Sequence, residues 1–350
     1  MEDKPTPLIG LSASRTKLLD QCSWQYWANY HIQLPQIQNE GAKKGSICHS
    51  VFEVLLKKKH KKHYKQIIKE NSIIGSKAVY RMVLHHIRKL KLSLTKELLV
   101  MIDQMIMVGL KNDFFIKNGK LVAPEFEFDL SNESPCYRIK GFMDKPVIVG
   151  NEIIIDDFKS SKKKFEGEDQ ESNLQALIYS LAAKKLWPHL SPRVRFIFLQ
   201  YPDSPIMELK FTDNALKGLE FYLEEIEKKV LFFNKYDAMK NFAAHIEPSP
   251  NEFKGKVVCG YAKKPGQLKK DGTKMWHCPY KFPFQYYRVK MKDGKEKTFF
   301  TIEEIPKDIA LEIKLEQYAG CPAFFSPALD INIKPQPPVI KRNVLDDFNF

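Results

Sequence analysis

Two aspartates thirteen positions apart, Asp144 and Asp157, and a lysine two beyond the second, Lys159, form the most reactive combination in this 350-residue chain. Asp157 closes the apolar run Ile153-Ile154-Ile155, which reads as a strand. Residues two apart on a strand share a face, so Asp157 and Lys159 project together, while Asp156 faces the other way and is given no catalytic role. Carboxylate oxygens suit Mg²⁺ or Mn²⁺. A divalent metal between Asp144 and Asp157 would polarise a phosphate, lower the pKa of its water and offset developing charge. Lys159 would stand beside that water, to orient it or to stabilise a pentavalent transition state. The combination suits metal-dependent cleavage of phosphodiesters. Glu53 lies four residues after His49, where it could orient the imidazole. Gln175 and Tyr179, also four apart, share one helix face.

These side chains need a strand end and two helices to hold them. Apolar periodicity predicts a helix over 12–31, a second from about Lys44 that carries His49, and more helix over 76–117. Strands follow over 121–130, 137–142 and 152–158, then a helix over 171–187, strands over 193–201 and 206–211, and a long helix from Asp213 to about Tyr236. This order makes an α/β core with antiparallel and parallel pairs. Residues 246–275 read as loops. Lys292-Asp293-Gly294-Lys295 suits the turn of a hairpin over 284–301, and the proline-rich stretch after 322 reads as an extended tail. The domains expected are a helical region over 1–120, a catalytic core over 121–245, a cysteine-containing extension over 246–321 and a tail over 322–350.

A net charge of +14, most of the excess being lysine, points to a polyanionic partner contacted through its backbone. No run of 18 apolar residues occurs, and Met1-Glu2-Asp3-Lys4 opens no apolar signal segment, so a soluble cytoplasmic protein with no membrane contact is expected. No Gly-rich phosphate loop of the Walker type is present, which excludes a helicase motor within this chain. The basic run Lys57–Lys65 is either a solvated face or a lining of a nucleic-acid path. A second basic zone, Lys254–Lys274, precedes Trp276 and Tyr280, which could stack on bases of a single strand.

Five fragments together resemble the RecB-like branch of the PD-(D/E)XK nuclease superfamily. They are Leu11-Ser-Ala-Ser14 with Leu18-Leu19-x-x-Cys22-x-x-x-Tyr26, Gly45-x-x-x-His49-x-x-x-Glu53, Gly141-x-x-Asp144, Ile155-Asp156-Asp157-Phe158-Lys159-Ser160 and Gln175-Ala-Leu-Ile-Tyr179. The resemblance covers about residues 11 to 236 and extends to iron-sulfur-type exonucleases of that branch, phage-encoded ones among them. It implies a restriction-endonuclease-like core, a mixed central sheet flanked by helices, with the helical region before it and an irregular extension after it. It makes the backbone carbonyl of Phe158 and the imidazole of His49 further metal ligands, and the imidazole favours Mn²⁺. It gives Glu125 a weaker supporting place behind the metal. Gln175 and Tyr179 become residues that contact the DNA strand or buttress the site.

The resemblance also bears on the cysteines. Cys22 matches the first position of an iron-sulfur cluster, and Cys259 and Cys278 look like parts of the later group, with Cys321 supplying the fourth thiol across an insertion. A four-thiolate 4Fe-4S cluster, a zinc site with His277 replacing one thiol, and thiols that are simply buried all fit this pattern. Cys48 and Cys136 read as core residues. The ending Val344-Leu345-Asp346-Asp347-Phe348-Asn349-Phe350 resembles peptides that grip a sliding clamp, and more loosely the acidic tip of single-strand-binding proteins, with Leu345, Phe348 and Phe350 filling a groove. The reading is a metal-dependent DNA exonuclease of replication, recombination or repair, acting on single strands or free ends. The rivals are a structure-specific endonuclease or nickase, and a non-cutting DNA-binding subunit with a relic site.

Overall fold

The computed structural model describes residues 8–36, 39–243, 264–306 and 308–325. Cys259, Leu345, Phe348 and Phe350 lie outside the described residues, as do most of 246–275 and nearly all of the tail. Contacts divide the chain into two compact units, Met1–Ser14 with Gln38–Leu231, and Arg15–Ile37 with Phe232–Phe350.

The chain opens with helices α1 (Ala13–Gln21), α2 (Ser23–Tyr30), α3 (Glu40–Leu56), α4 (Lys61–Glu70), α5 (Lys77–Lys89) and α6 (Lys96–Lys111). Strands β1 (Lys120–Leu121), β2 (Phe126–Glu133), β3 (Cys136–Met143), β4 (Lys145–Val149) and β5 (Glu152–Lys159) follow. Then come α7 (Glu168–Glu171), α8 (Leu174–Leu186), β6 (Ser191–Phe198), β7 (Ile206–Leu209), α9 (Asp213–Leu231) and α10 (Lys235–Ala238). Strands β8 (Phe284–Met291), β9 (Glu296–Phe299) and β10 (Ala310–Tyr318) close the described chain.

The first unit is the expected mixed α/β core. Its sheet runs β1-β4-β5-β6-β7, with β5 antiparallel to β4 and parallel to β6 across the crossover that contains α8. Helices cover both faces of β5, which explains its unbroken apolar run. Phe158 projects towards α3, its ring 4.2 Å from that of Phe52. Asp157 projects the other way, towards α8, where Gln175 reaches it. Asn39 caps α3 by accepting the Ala42 N–H at 2.8 Å, and the buried face of α3, including Ile47, Val51, Phe52 and Leu55, packs on α6. Leu11 lies beside β3, its carbonyl accepting the Lys140 N–H at 2.9 Å.

Several elements differ from expectation. The helix over 12–31 breaks at Cys22, which is extended (φ −162°) and stands before α2. The helix over 76–117 breaks before Thr95, which caps α6; Lys91 just after α5 has φ +52°. The strand over 121–130 divides at Pro124 and Glu125, the latter at φ +50°. Strand β4 carried no sequence signal, being five residues with a proline. In the second unit the 284–301 hairpin forms as β8 and β9, and β10, which was not anticipated, pairs on the other side of β8. No helix among the described residues is long and apolar enough to cross a membrane.

Candidate active site

The site gathers at the ends of β3 and β5. Lys145 pairs with Asp156 in the β4–β5 ladder; one further rung in that register sets Asp144 against Asp157. Asp144 Oδ2 accepts the Phe158 N–H at 2.8 Å, which fixes the carboxylate at the strand end. His49 comes from α3. Its Nε2 is 2.9 Å from the Phe158 carbonyl, and its Nδ1 is 3.3 Å from Asp144 and 3.6 Å from Glu125. Gly45 allows this approach. A Cβ there would lie 2.5 Å from Ser160 Oγ, so a larger residue would have to displace that hydroxyl or move α3 away from the end of β5, one turn before His49.

Asp157 and Lys159 are held by α8. Gln175 donates to Asp157 Oδ1 at 2.7 Å and to the Tyr179 hydroxyl at 2.8 Å, and accepts from Lys159 Nζ at 2.6 Å. Tyr179 donates to the Phe142 carbonyl at 2.6 Å and also lies 3.2 Å from Asp157 Oδ1. Gly141 explains the start of its motif. A Cβ there would meet the Phe128 ring at 2.9 Å, and that ring packs edge-on against Tyr179. Gln175 and Tyr179 therefore buttress the carboxylate and the lysine.

Charge in this pocket is out of balance. Burial raises the Asp144 carboxyl, as does the charge of Asp157, and His49 only partly opposes them, leaving it at about 6. Burial would lower His49, but Asp144, Glu125 and Asp157 push it up to about 11. Asp157 Oδ2 is buried and is ion-paired with Lys159 Nζ at 2.6 Å. Three carboxylates and an imidazole gathered here, with Lys159 as their close ammonium partner, fit a divalent cation. The ligand atoms of His49, Glu125 and Asp144 all lie within 4.8 Å of one another.

Of the residues singled out in the sequence, His49, Glu125, Asp144, Asp157, the Phe158 carbonyl, Lys159, Gln175 and Tyr179 come together. Glu125 is nearer the centre than expected, because its N–H donates to the Asp144 carbonyl at 2.9 Å and turns its side chain to His49. Glu53 does not orient His49. It is claimed by Lys57, four residues on, at 2.6 Å. Behind the sheet lies a group that the sequence reading missed. Lys145 Nζ is 2.5 Å from Asp156 Oδ2, and Arg195 grips Asp156 with two hydrogen bonds of 2.6 and 2.9 Å. Charged residues flanking Asp144 and Asp157 were the available signal.

In the second unit, Cys22, Cys278 and Cys321 line one small apolar cavity with Trp24, Phe242 and Phe324. Cys48 is buried, but Cys136 is exposed at the start of β3 and is not a core residue. Tyr280 is buried, its hydroxyl donating to Asn29, so it is not available to stack on a base, whereas Trp276 is exposed.

A family model described as the PD-(D/E)XK nuclease superfamily matches residues 10–261. No curated protein matches the chain. Among solved structures, protein VC1899 from Vibrio cholerae is similar at 12% identity and a TM-score of 0.20, over 63% of this chain and 58% of that one. The shared part is thus less than two thirds of that protein, and the overlap is too loose to bear on the fold.

Proposed function

The chain belongs to the PD-(D/E)XK nuclease superfamily, and on that premise we propose that it is a metal-dependent nuclease cutting DNA at the Asp144–Asp157–Lys159 site, as an exonuclease. The observation that carries this is the buried Asp157 carboxylate, ion-paired with Lys159 at 2.6 Å, beside the cluster of His49, Glu125 and Asp144. His49, Asp144, Asp157 and the Phe158 carbonyl would hold the metal, with Glu125 close enough to His49 and Asp144 to join them, and the imidazole favours Mn²⁺ over Mg²⁺. The metal supplies phosphate polarisation and a more acidic bound water. Gln175 and Tyr179 hold Asp157 in one orientation. Gln175 also holds Lys159, whose ammonium then orients the attacking water or offsets charge on the phosphate.

Two finer readings accompany this. The convergence of Cys22, Cys278 and Cys321 on one cavity supports a metal centre there, with Cys259 as a fourth ligand and a 4Fe-4S cluster ahead of zinc. Iron, sulfide and zinc analysis of the purified protein, beside Cys278→Ser, separates cluster, zinc and neither. The C-terminal residues Leu345, Phe348 and Phe350 are the proposed link to a sliding clamp or single-strand-binding protein in replication, recombination or repair. That reading rests on their types alone.

The test of the main reading is cleavage of end-labelled linear and closed-circular DNA, single- and double-stranded, with Mn²⁺ or Mg²⁺. Wild type is compared with Asp157→Ala and Lys159→Ala. Cutting of linear DNA alone, abolished by both changes, is the expected result. Cutting of circles makes the protein an endonuclease. DNA binding with no metal-dependent cutting in any format overturns the enzyme reading.

A further inference from the structure

We propose that the helical hairpin between Lys57 and Lys91 is a dedicated clamp for the phosphate backbone, separate from the metal site, that holds the substrate strand beyond the scissile bond. This rests on the nuclease reading above. The first support is where the charge lies. Twelve lysines and arginines fall between Lys57 and Lys91 against the single carboxylate of Glu70. That is a net +11 within 35 residues of a chain whose whole net charge is +14. The remaining residues carry a net charge of only +3 between them, so this hairpin is the largest local concentration of positive charge in the sequence and a strong attractor for a polyanion.

The second support is how the hairpin is built. Ile67, Ile73, Val79, Val83 and Ile87 face inward and join the core formed with α3 and α6. Asp103 of α6 pins the turn, accepting from Ser72 Oγ at 2.9 Å and from the Ile73 N–H at 2.8 Å. Ser76 caps α5, and its hydroxyl meets His63 Nδ1 at 2.9 Å. The outer face of α4 is therefore a fixed platform. Lys61, Lys65 and Lys69 are exposed and follow one row of it, about 6 Å apart along the axis. Lys58, Lys59, Lys62, Lys65 and Lys69 are exposed and form no ion pair among the described residues. Charges that serve only solubility need no such rigid support.

The third support is position. His49 sits on α3, and Lys57 ends that helix. Eight residues of helix place the start of the basic face about 12 Å along the axis from His49. A strand whose phosphate lies at the metal reaches this face only with nucleotides beyond the cut. The hairpin then governs affinity for long substrates, whereas the chemistry stays with the site.

The experiment uses the full chain with Lys58, Lys59, Lys62, Lys65 and Lys69 all changed to Gln, and a companion with the same five changed to Arg. Binding of a 30-nucleotide strand is measured across a salt series, without metal and in the Asp157→Asn background. Each lysine that neutralises one phosphate of a single strand contributes about 0.7 to the salt slope. The Gln variant should therefore bind at least tenfold more weakly, with a slope shallower by about 3, and should lose preference for a 30-mer over a trinucleotide in cleavage. The Arg variant should keep both affinity and slope. Unchanged affinity and slope in the Gln variant overturn the proposal, as does equal loss in the two variants. Binding that depends on the hairpin in a protein that never cuts would leave this proposal standing and remove the nuclease reading.

Discussion

Removing Asp156 should damage the protein more than removing its whole ion group. Asp156 is fully buried and faces away from the metal site, with two cations converging on it. In Asp156→Ala, Lys145 keeps the Asp113 carbonyl at 3.0 Å and the face of Phe114, and Arg195 keeps the largely exposed Asp113 carboxylate at 3.2 Å. Breaking a buried pair from one side costs about 3–5 kcal/mol, because the charge left behind stays out of water. Asp113 retains part of each interaction, so a loss of about 4 kcal/mol is expected, a large share of a typical 5–15 kcal/mol. The triple change Lys145→Met, Asp156→Leu, Arg195→Met removes all three charges and should fold within about 1 kcal/mol of wild type. Equilibrium urea unfolding followed by circular dichroism and tryptophan fluorescence gives both values. A loss below about 1 kcal/mol in Asp156→Ala, or equal losses in the two variants, would refute the reasoning. The triple variant then isolates a second role. If the ion row also fixes the register of β4 on β5, metal affinity should fall although stability does not.

Other outcomes follow from the same geometry. At pH 8 the metal-free site holds a proton on His49, raised to about 11, while Asp144 at about 6 is ionised. Metal uptake should release about one proton at pH 8 and about two at pH 5, and affinity should fall as pH drops through 6. Calorimetry in buffers of different ionisation enthalpy counts these protons, and equal release at both pH values would contradict the assignment. Gln175→Leu should lower kcat by about 10- to 100-fold with little change in KM, because Lys159 and Asp157 lose their shared partner. Gly45→Ala should weaken metal binding by displacing α3 from Ser160, and Ser160→Gly should restore it; failure of that rescue would show that the contact does not position His49. Glu125→Gln should weaken metal binding by about tenfold if its carboxylate supports the ion.

The gathering of the candidate site residues was more legible in the sequence than the framework that supports them. Asp157-x-Lys159 at the end of an apolar strand fixed its own face through the two-residue period, and Gln175-x-x-x-Tyr179 did the same through the helical period. Glu53 misled because spacing of four suits both a preceding His and a following Lys, and only the full set of neighbours decides between them. Strand β4 escaped notice because five residues with a proline carry little periodic signal, yet its register sets the site. The importance of Lys145, Asp156 and Arg195 was hidden for a related reason. Each looks like an ordinary charge until three strands stand side by side.

The tight turn between β4 and β5 has a consequence for how this chain can change. Val149 pairs with Glu152, so only Gly150 and Asn151 lie between the strands, with Gly150 at φ +57°. Asp144 and Asp157 stand thirteen positions apart because that hairpin measures them out. Side chains alternate faces along each strand, so one residue inserted or deleted within the paired part of either strand, as opposed to the turn, would carry one aspartate to the wrong side of the sheet. Two residues, one added to each strand, would leave the pair facing as before, with a longer hairpin beneath it. The tolerated lengths of the paired strands are therefore quantised in steps of two. A library of insertions within the paired strands should recover activity at even lengths and lose it at odd ones, whereas insertions in the turn should be tolerated at either, without any residue of the site having been touched.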